Sequence, residues 1–259
     1  MFNLDVDELA KIANDALNLG RAIAKKNYRQ DFSVSLKSDL SPVTDVDIEI
    51  ESTLKQYLNN KFPLAGFIGE ETGVSDMNKE FFWCLDPIDG TRSFLSGYPI
   101  FCTLLGFWRG DSAILGMIDS PITNERWQAF GEEIYFNDTH IKINHRVKKL
   151  SDAKLAATTP AMFTGQQMLL FNRLSTKVKS TRWGGDAYNY GCLASGFLDI
   201  VVEADLKFHD LAALIPVIEL SGGMITDWQG KRITSNNFKQ VVATTNESLH
   251  NQALAILNP

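Results

Sequence analysis

Cysteine is scarce in this chain: Cys84, Cys102 and Cys192 are the three among 259 residues. They are odd in number, far apart and set among apolar neighbours. That predicts reduced, buried thiols in a cytosolic protein, not a disulfide frame or a zinc site. Long apolar runs are missing too, and no segment approaches the roughly 20 residues of a membrane span. Positive charge is in deficit: 25 Lys and Arg stand against 31 Asp and Glu, a formal net charge of −6. This argues against a nucleic-acid binder and gives no reason to expect an anionic membrane as partner. Met1 to Ala10 carries Asp5, Asp7 and Glu8 without an apolar core, so it does not read as a signal peptide. There is no GxGxxG after a strand and no Walker lysine motif, which excludes the common nucleotide-binding signatures. Neither internal repeats nor low-complexity segments occur.

What is present is an ordinary globular mixture, 44% hydrophobic and 22% charged. The length suits one large domain or two tightly joined halves. The expected division is an N-terminal α+β half over 1–150 and a C-terminal α/β half over 151–259, forming one compact unit. Leu9, Ile12, Ala13, Ala16, Leu17, Gly20 and Ile23 recur at helical spacing and predict a helix from about Asp5 to Lys26. Asn27 to Leu36 reads as extended. Thr44 or Asp45 suits the N-cap of a second helix reaching about Lys61. Tyr98–Trp108 and Ser112–Ile118 read as a hairpin turning at Arg109-Gly110-Asp111, and Glu125–Phe130 with Glu133–Phe136 extends it. Further on, strands are expected near Leu155–Thr159, Phe197–Glu203, Met224–Asp227 and Val241–Thr244. Helices are expected over Gly165–Val178, Ala187–Ser195, Leu211–Leu220 and Ser248–Leu257. Layered α and β with no regular βαβ rhythm follows. His140, His145 and His250 have no evident partners in the sequence and read as surface residues.

The stretch that organises the chain is Trp83-Cys84-Leu85-Asp86-Pro87-Ile88-Asp89-Gly90-Thr91. The apolar run from Phe81 to Leu85 predicts a buried strand that stops at Pro87. Asp86 and Asp89 then follow three residues apart on one turn. Two such acids repel unless a cation lies between them, and hard oxygen ligands suit Mg²⁺ or Mn²⁺. The N–H groups of Gly90 and Thr91 suit an anion such as phosphate. The plainer alternative is an ordinary type I turn. Asp47, in the first turn of the second helix, either serves a site or complements the helix dipole. Glu70 and Glu71 end a short strand, Phe67–Gly69, where either a functional loop or a solvated turn is expected. Glu70, Asp86, Asp89 and Asp210 together form the set that two or three hard cations need, with phosphate as a further ligand.

Three stretches carry a resemblance: Gly69-Glu70-Glu71, Asp86-Pro87-Ile88-Asp89-Gly90-Thr91, and Asp210-Leu211-Ala212-Ala213 leading to Ser221-Gly222-Gly223. Their order and spacing resemble the inositol monophosphatase superfamily of Mg²⁺-dependent phosphomonoesterases over most of the chain. Lys37-Ser38-Asp39 to Asp47 resembles that family's mobile N-terminal metal loop. The resemblance implies an α+β fold, a layered αβαβα sandwich of the inositol monophosphatase and fructose-1,6-bisphosphatase type. It implies two or three Mg²⁺ ions, with Mn²⁺ a substitute, held by Glu70, Asp86, Asp89, Asp210 and the Ile88 carbonyl. Thr91 with Glu70 would activate the attacking water, and Asp47 would orient it or a water near the metal. Gly90 and Thr91 would bind phosphate through their N–H groups. A homodimer acting on a small-molecule phosphate ester is also implied. One departure is His209 before Asp210, where the family usually has Trp.

Arg182-Trp183-Gly184-Gly185-Asp186-Ala187-Tyr188-Asn189-Tyr190-Gly191 bears on the substrate. The Asp186 position is usually small and neutral in inositol phosphatases. Glu203 matches a position that contacts the leaving group, and Asp89 joins this substrate-binding set. Two acids there would suit a cationic leaving group. Gly-Gly-Asp-x-Tyr, Glu-Ala-x-Leu-Lys and Asp-Leu-Ala-Ala-Leu-Ile-Pro resemble the histidinol-phosphate phosphatase branch. Hydrolysis of L-histidinol phosphate in histidine biosynthesis is therefore expected. An inositol-1-monophosphatase, or a broad sugar or nucleotide phosphatase, is the alternative. A catalytically weak regulatory or RNA-binding relative is a third alternative. The plainer reading of Asp186 is a cap for the helix from Ala187.

Overall fold

The computed structural model describes residues 5–37, 42–143, 146–234 and 238–259. Helix α1 (Val6–Asn27) begins where Asp5 accepts from the N–H groups of Asp7 and Glu8, both at 3.1 Å. Strands β1 (Val34–Leu36) and β2 (Pro42–Thr44) form an antiparallel ribbon whose first strand is exposed. The extended stretch is thus shorter than the alternation suggested. Thr44 caps α2 (Asp45–Lys61) in a capping box whose reciprocal acid is Asp47.

The large sheet follows: β3 (Ala65–Gly69), β4 (Gly73–Ser75), β5 (Phe81–Asp89), β6 (Cys102–Arg109), β7 (Ser112–Ser120), β8 (Glu125–Phe130), β9 (Glu133–Phe136) and β10 (Thr139–His140). Their order is β10-β9-β8-β7-β6-β5-β3-β4. A short helix, α3 (Thr91–Leu95), intervenes after β5. The C-terminal elements are β11 (Lys154–Ala157), α4 (Gly165–Ser175), β12 (Ser180–Trp183), α5 (Tyr188–Ala194), β13 (Ile200–Ala204), α6 (Phe208–Leu211), α7 (Leu214–Leu220), β14 (Met224–Thr226), β15 (Gln240–Thr244) and α8 (Glu247–Leu257). The five strands pair in the order β12-β11-β13-β15-β14.

The layering follows from side-chain alternation. In β5, Phe81, Trp83 and Leu85 join α1 and α2 on one face, while Phe82 and Cys84 face the other way. Both faces are covered, so β5 reads as an unbroken apolar run. The second cluster continues through Tyr190, Leu211, Leu214 and Ile215 to Val201 and Ala243 of the small sheet. Beyond that sheet, Leu155, Val202 and Val242 bury against Phe171 and Leu174 of α4 and Leu249 of α8. The order is therefore helices, sheet, helices, sheet, helices, as the resemblance implied. Gly116 lets α7 approach β7 closely, since a Cβ there would lie 2.2 Å from the Ala213 carbonyl.

Several expectations are corrected. The strand does not stop at Pro87 but runs to Asp89 through a register shift between Asp86 and Asp89. A proline lacks an N–H and is tolerated at such a bulge, and here its carbonyl accepts from Thr103 Oγ1 at 2.8 Å. The strand expected from Tyr98 starts only at Cys102, because α3 and its exit occupy the preceding residues. The helix expected over Leu211–Leu220 is split into α6 and α7, and α6 begins inside the polar break, at Phe208. His250 is not a surface residue: it is 1% exposed, and its ring nitrogens lie 2.9 Å from Thr226 Oγ1 and 3.1 Å from Thr244 Oγ1. These two threonines come from separate strands, which local sequence cannot pair with it. His140 is exposed, as expected, with its ring edge-on to Tyr135. Ser38, Asp39 and His145 lie outside the described residues.

Candidate active site

The end of β5, the start of α6 and the turn before α5 converge on one cavity. Glu70, Asp86, Ile88, Asp89, Gly90, Thr91, Asp186, Glu203 and Asp210 all line it, in a volume of 150 Å³. Asp86, Asp89 and Asp210 each offer a carboxylate oxygen within 4.8 Å of the others.

Each of these three acids is anchored by one backbone N–H. Asp86 Oδ1 accepts from Ile88 N at 3.0 Å. Asp89 Oδ2 accepts from Ala187 N at 2.6 Å, and Asp210 Oδ2 from Lys207 N at 2.6 Å. One oxygen of each is fixed in this way, while Asp86 also meets Glu70 and Asp210 Oδ1 lies 3.4 Å from His209 Nε2. Burial, then the neighbouring acids Glu70, Asp89 and Asp210, push the Asp86 carboxyl well above its usual range. Burial, Asp186 and Asp210 do the same to Asp89. Burial also raises Asp210. A cluster held in this strained charge state fits a divalent cation, which would relieve both the burial and the repulsion.

Glu70 is treated differently. Burial raises it, but the Lys37 ammonium, bonded to Oε1 at 2.7 Å, together with His209 and a hydrogen bond with Asp86, outweighs that and leaves the carboxyl below its ordinary value. Lys37 also meets Glu71 Oε1 at 2.7 Å. The turn holding these acids is tied to α2 by Glu51, a buried side chain that accepts from Glu71 N at 2.9 Å and Thr72 N at 2.6 Å. Sequence reading missed Glu51; its signal was an acid four residues after Asp47, among the apolar positions Val46, Ile50 and Leu54.

Asp47 does not line the cavity. Its Oδ2 accepts from Thr44 N at 2.8 Å and Thr44 Oγ1 at 2.5 Å, which is the helix-capping role. Its Oδ1 is buried without a protein partner, and burial raises its pKa to about 6. Thr91 Oγ1 donates to the Ile88 carbonyl at 3.1 Å, leaving its lone pairs open. Gly90 has φ of 84°, which a side-chain-bearing residue rarely adopts.

Asp186 does not cap α5. Ala187 occupies the N-cap and its N–H goes to Asp89, while the Asp186 carboxylate accepts from Ser93 Oγ at 2.8 Å. Gly184, Gly185 and Asp186 have successive φ values of 88°, 123° and 46°. This path brings Asp186 against the backbone of Gly90. Glu203, 3% exposed, accepts from Thr158 N at 3.1 Å, Thr158 Oγ1 at 2.5 Å and Tyr190 OH at 2.9 Å. Burial raises it to about 7 against those bonds. Thr158, Tyr190 and Ser93 were not foreseen as partners; only their tertiary neighbours give them a role. His209 packs beside Asp210, its Nε2 3.4 Å from Oδ1 without hydrogen-bond geometry.

Among the described residues, no helix is long and apolar enough to cross a membrane. A family model described as the inositol monophosphatase family matches residues 5–258. A bifunctional phosphatase IMPL2 of Arabidopsis thaliana is 37% identical over 98% of this chain and 76% of its own length. A histidinol-phosphatase of Mycobacterium tuberculosis is 32% identical over 88% of this chain and 89% of its own. The structure of an inositol monophosphatase from Zymomonas mobilis superposes with a TM-score of 0.88 at 33% identity, covering 98% of both chains.

Proposed function

This chain belongs to the inositol monophosphatase family, and within it we propose that it hydrolyses L-histidinol phosphate to L-histidinol and phosphate. Phosphatase activity rests on the family match over residues 5–258 and on relatives named as phosphatases. The preference for histidinol phosphate rests on a single observation. A second acid, Asp186, stands at the same cavity as Glu203, on a backbone path with φ of 46° that a non-glycine residue rarely adopts. Burial raises the Asp186 carboxyl against Ser93 and Arg92, and burial together with Asp186 raises Asp89. That arrangement is favourable when the leaving group is itself a cation, as the ammonium of histidinol is. The histidinol-phosphatase relatives support the same reading.

A divalent cation, Mg²⁺ or Mn²⁺, held by Glu70, Asp86, Asp89, Asp210 and the Ile88 carbonyl, would supply Lewis acidity toward the phosphate and the attacking water. The chain's own groups do the remainder. The N–H groups of Gly90 and Thr91 orient the phosphate. Thr91 gives its hydroxyl proton to Ile88 O, so its oxygen accepts from the attacking water and aligns it with phosphorus. Glu70, kept ionised by Lys37, accepts the proton released by that water.

An inositol-phosphate substrate is the second reading, favoured by the inositol-1-monophosphatase of Caulobacter vibrioides at 31% identity over 86% of this chain. The test is phosphate release with Mg²⁺ from L-histidinol phosphate and inositol 1-phosphate in parallel. A preference of about a hundredfold in kcat/KM for histidinol phosphate, roughly 2.7 kcal/mol, is expected, and Asp186→Ala should erase most of it. Equal rates, or a preference for the inositol ester, would discard the substrate and keep the metal chemistry.

A further inference from the structure

The acid-lined cavity is small for a whole substrate. Its volume is 150 Å³, whereas pockets that bury small organic ligands run from about 300 to 1,000 Å³. It adjoins a second cavity of 560 Å³, and Met162 and Leu206 line both. These two side chains therefore form the shared wall. The chemistry changes across that wall. On the near side stand the carboxylates. On the far side the lining includes Phe163 and Phe238, with Thr164, Gln167, Asp205 and Lys239 as polar groups.

The far chamber is built from fixed parts. Phe163 is 9% exposed and is stacked on Phe171, centroids 5.0 Å apart. Gln167 Oε1 accepts from Thr164 N at 2.7 Å in the capping box of α4, which immobilises its amide and leaves the Nε2 donors for a ligand. The loop that carries Leu206 runs from β13, with Glu203, to α6, with Asp210. Asp205 begins it in the left-handed region, φ 57°, and its N–H bonds to the Lys239 carbonyl at 2.9 Å. Aspartate tolerates that conformation better than most residues. The turn therefore sets Leu206 between the two acids of the first cavity and the aromatic chamber. Methionine beside aromatic rings suits a flat, polarisable guest, since thioether–aromatic contacts are favourable and adapt in shape.

From this geometry we infer that the far chamber is the subsite for a flat heteroaromatic ring on the leaving alcohol, with Met162 and Leu206 as specificity-determining residues. The inference rests on the reading of the first cavity as a phosphomonoesterase site whose leaving group is cationic. The ester bond lies over the acid cluster, the ammonium lies near Asp186 and Glu203, and the ring passes Met162 and Leu206. There Asp205 accepts from a ring N–H, and Gln167 Nε2 donates to an unprotonated ring nitrogen.

The experiment measures kcat/KM with Mg²⁺ on three esters. L-Histidinol phosphate carries ammonium and ring, O-phosphoethanolamine carries ammonium alone, and inositol 1-phosphate carries neither. The unsubstituted enzyme should favour histidinol phosphate over O-phosphoethanolamine. Met162→Ala should lower that ratio about tenfold, the scale expected for losing part of an apolar pocket wall. The change should appear chiefly in KM, and Met162→Leu should restore it, which separates a lost contact from a misfolded variant. Leu206→Ala should shift the ratio in the same direction. A ring preference that neither variant alters overturns the subsite while leaving the substrate reading intact. No ring preference in the unsubstituted enzyme also overturns the subsite. If inositol 1-phosphate is the best ester, yet the ring preference exists and falls with Met162→Ala, the histidinol reading fails and the subsite stands.

Discussion

Gly90→Ala is the substitution whose consequence can be worked furthest. Gly90 has φ of 84°, so an alanine there carries left-handed strain of about 1–2 kcal/mol. Its Cβ would also lie 2.7 Å from Asp186 Oδ2 and 2.9 Å from Asp186 Cγ. Ordinary contact begins near 3.4 Å, so one side must give by about 0.7 Å. Asp186 cannot yield freely, because Ser93 Oγ donates to it and its own backbone is left-handed. The Gly90 and Thr91 N–H groups must then shift. Catalytic constellations tolerate about 0.5 Å, and a 1 Å error costs on the order of a hundredfold. We expect kcat to fall between about tenfold and a hundredfold, while the melting temperature drops by only about 2–8 °C. Steady-state kinetics on a phosphomonoester lacking an ammonium, paired with calorimetry, reads both. The double variant Gly90→Ala/Asp186→Ala removes the carboxylate from the clash and should recover about tenfold of the loss, a coupling of about 1.4 kcal/mol. Unchanged kcat in the single variant would refute the packing argument, as would strictly additive losses in the double.

Two further outcomes concern stability. Burial lowers the His250 pKa from 6.5 to about 4, so the unfolded chain takes up a proton that the native state refuses. That contribution is complete above about pH 6.5 and is lost as pH falls toward 4, by about 3 kcal/mol. Melting temperatures from pH 7.5 to 4.5 should therefore fall more steeply for the natural chain than for His250→Gln, and parallel curves would contradict it. Asp119, fully buried, accepts from Arg21 Nε at 3.1 Å and Arg126 Nε at 2.6 Å, joining α1 to β7 and β8. Asp119→Asn leaves two guanidinium groups facing an amide and should cost about 3–5 kcal/mol in urea unfolding. A loss under about 1 kcal/mol would show the cluster to be solvated.

Much of this protein is legible in the order of its residues. Helical spacing gave α1, Thr44 or Asp45 as N-cap gave the start of α2, and the apolar run from Phe81 to Leu85 gave β5 as a buried strand, though not its end. The acids were legible because Asp86 and Asp89 stand on one turn and because the flanking motifs keep their order. Local patterning is decided by backbone geometry over a few residues, so it is visible in the chain alone. What it could not show was every relation made across the layers. The bulge that carries β5 past Pro87 depends on its pairing with β6. The sequence left a helix cap open as the alternative for Asp186, but Asp89, 98 positions before Ala187, takes the Ala187 N–H, and Asp186 accepts from Ser93. His250 reads as a surface residue until Thr226 and Thr244 close around it. Glu70 reads as one acid among four, but Lys37, His209 and Asp86 around it hold it below its usual pKa. The sequence alone determined which residue types were available for metal and phosphate chemistry and which elements would carry them. Tertiary structure decided their partners, their charge states and the cavity beyond Met162, because those depend on distances between segments that no local rule sets.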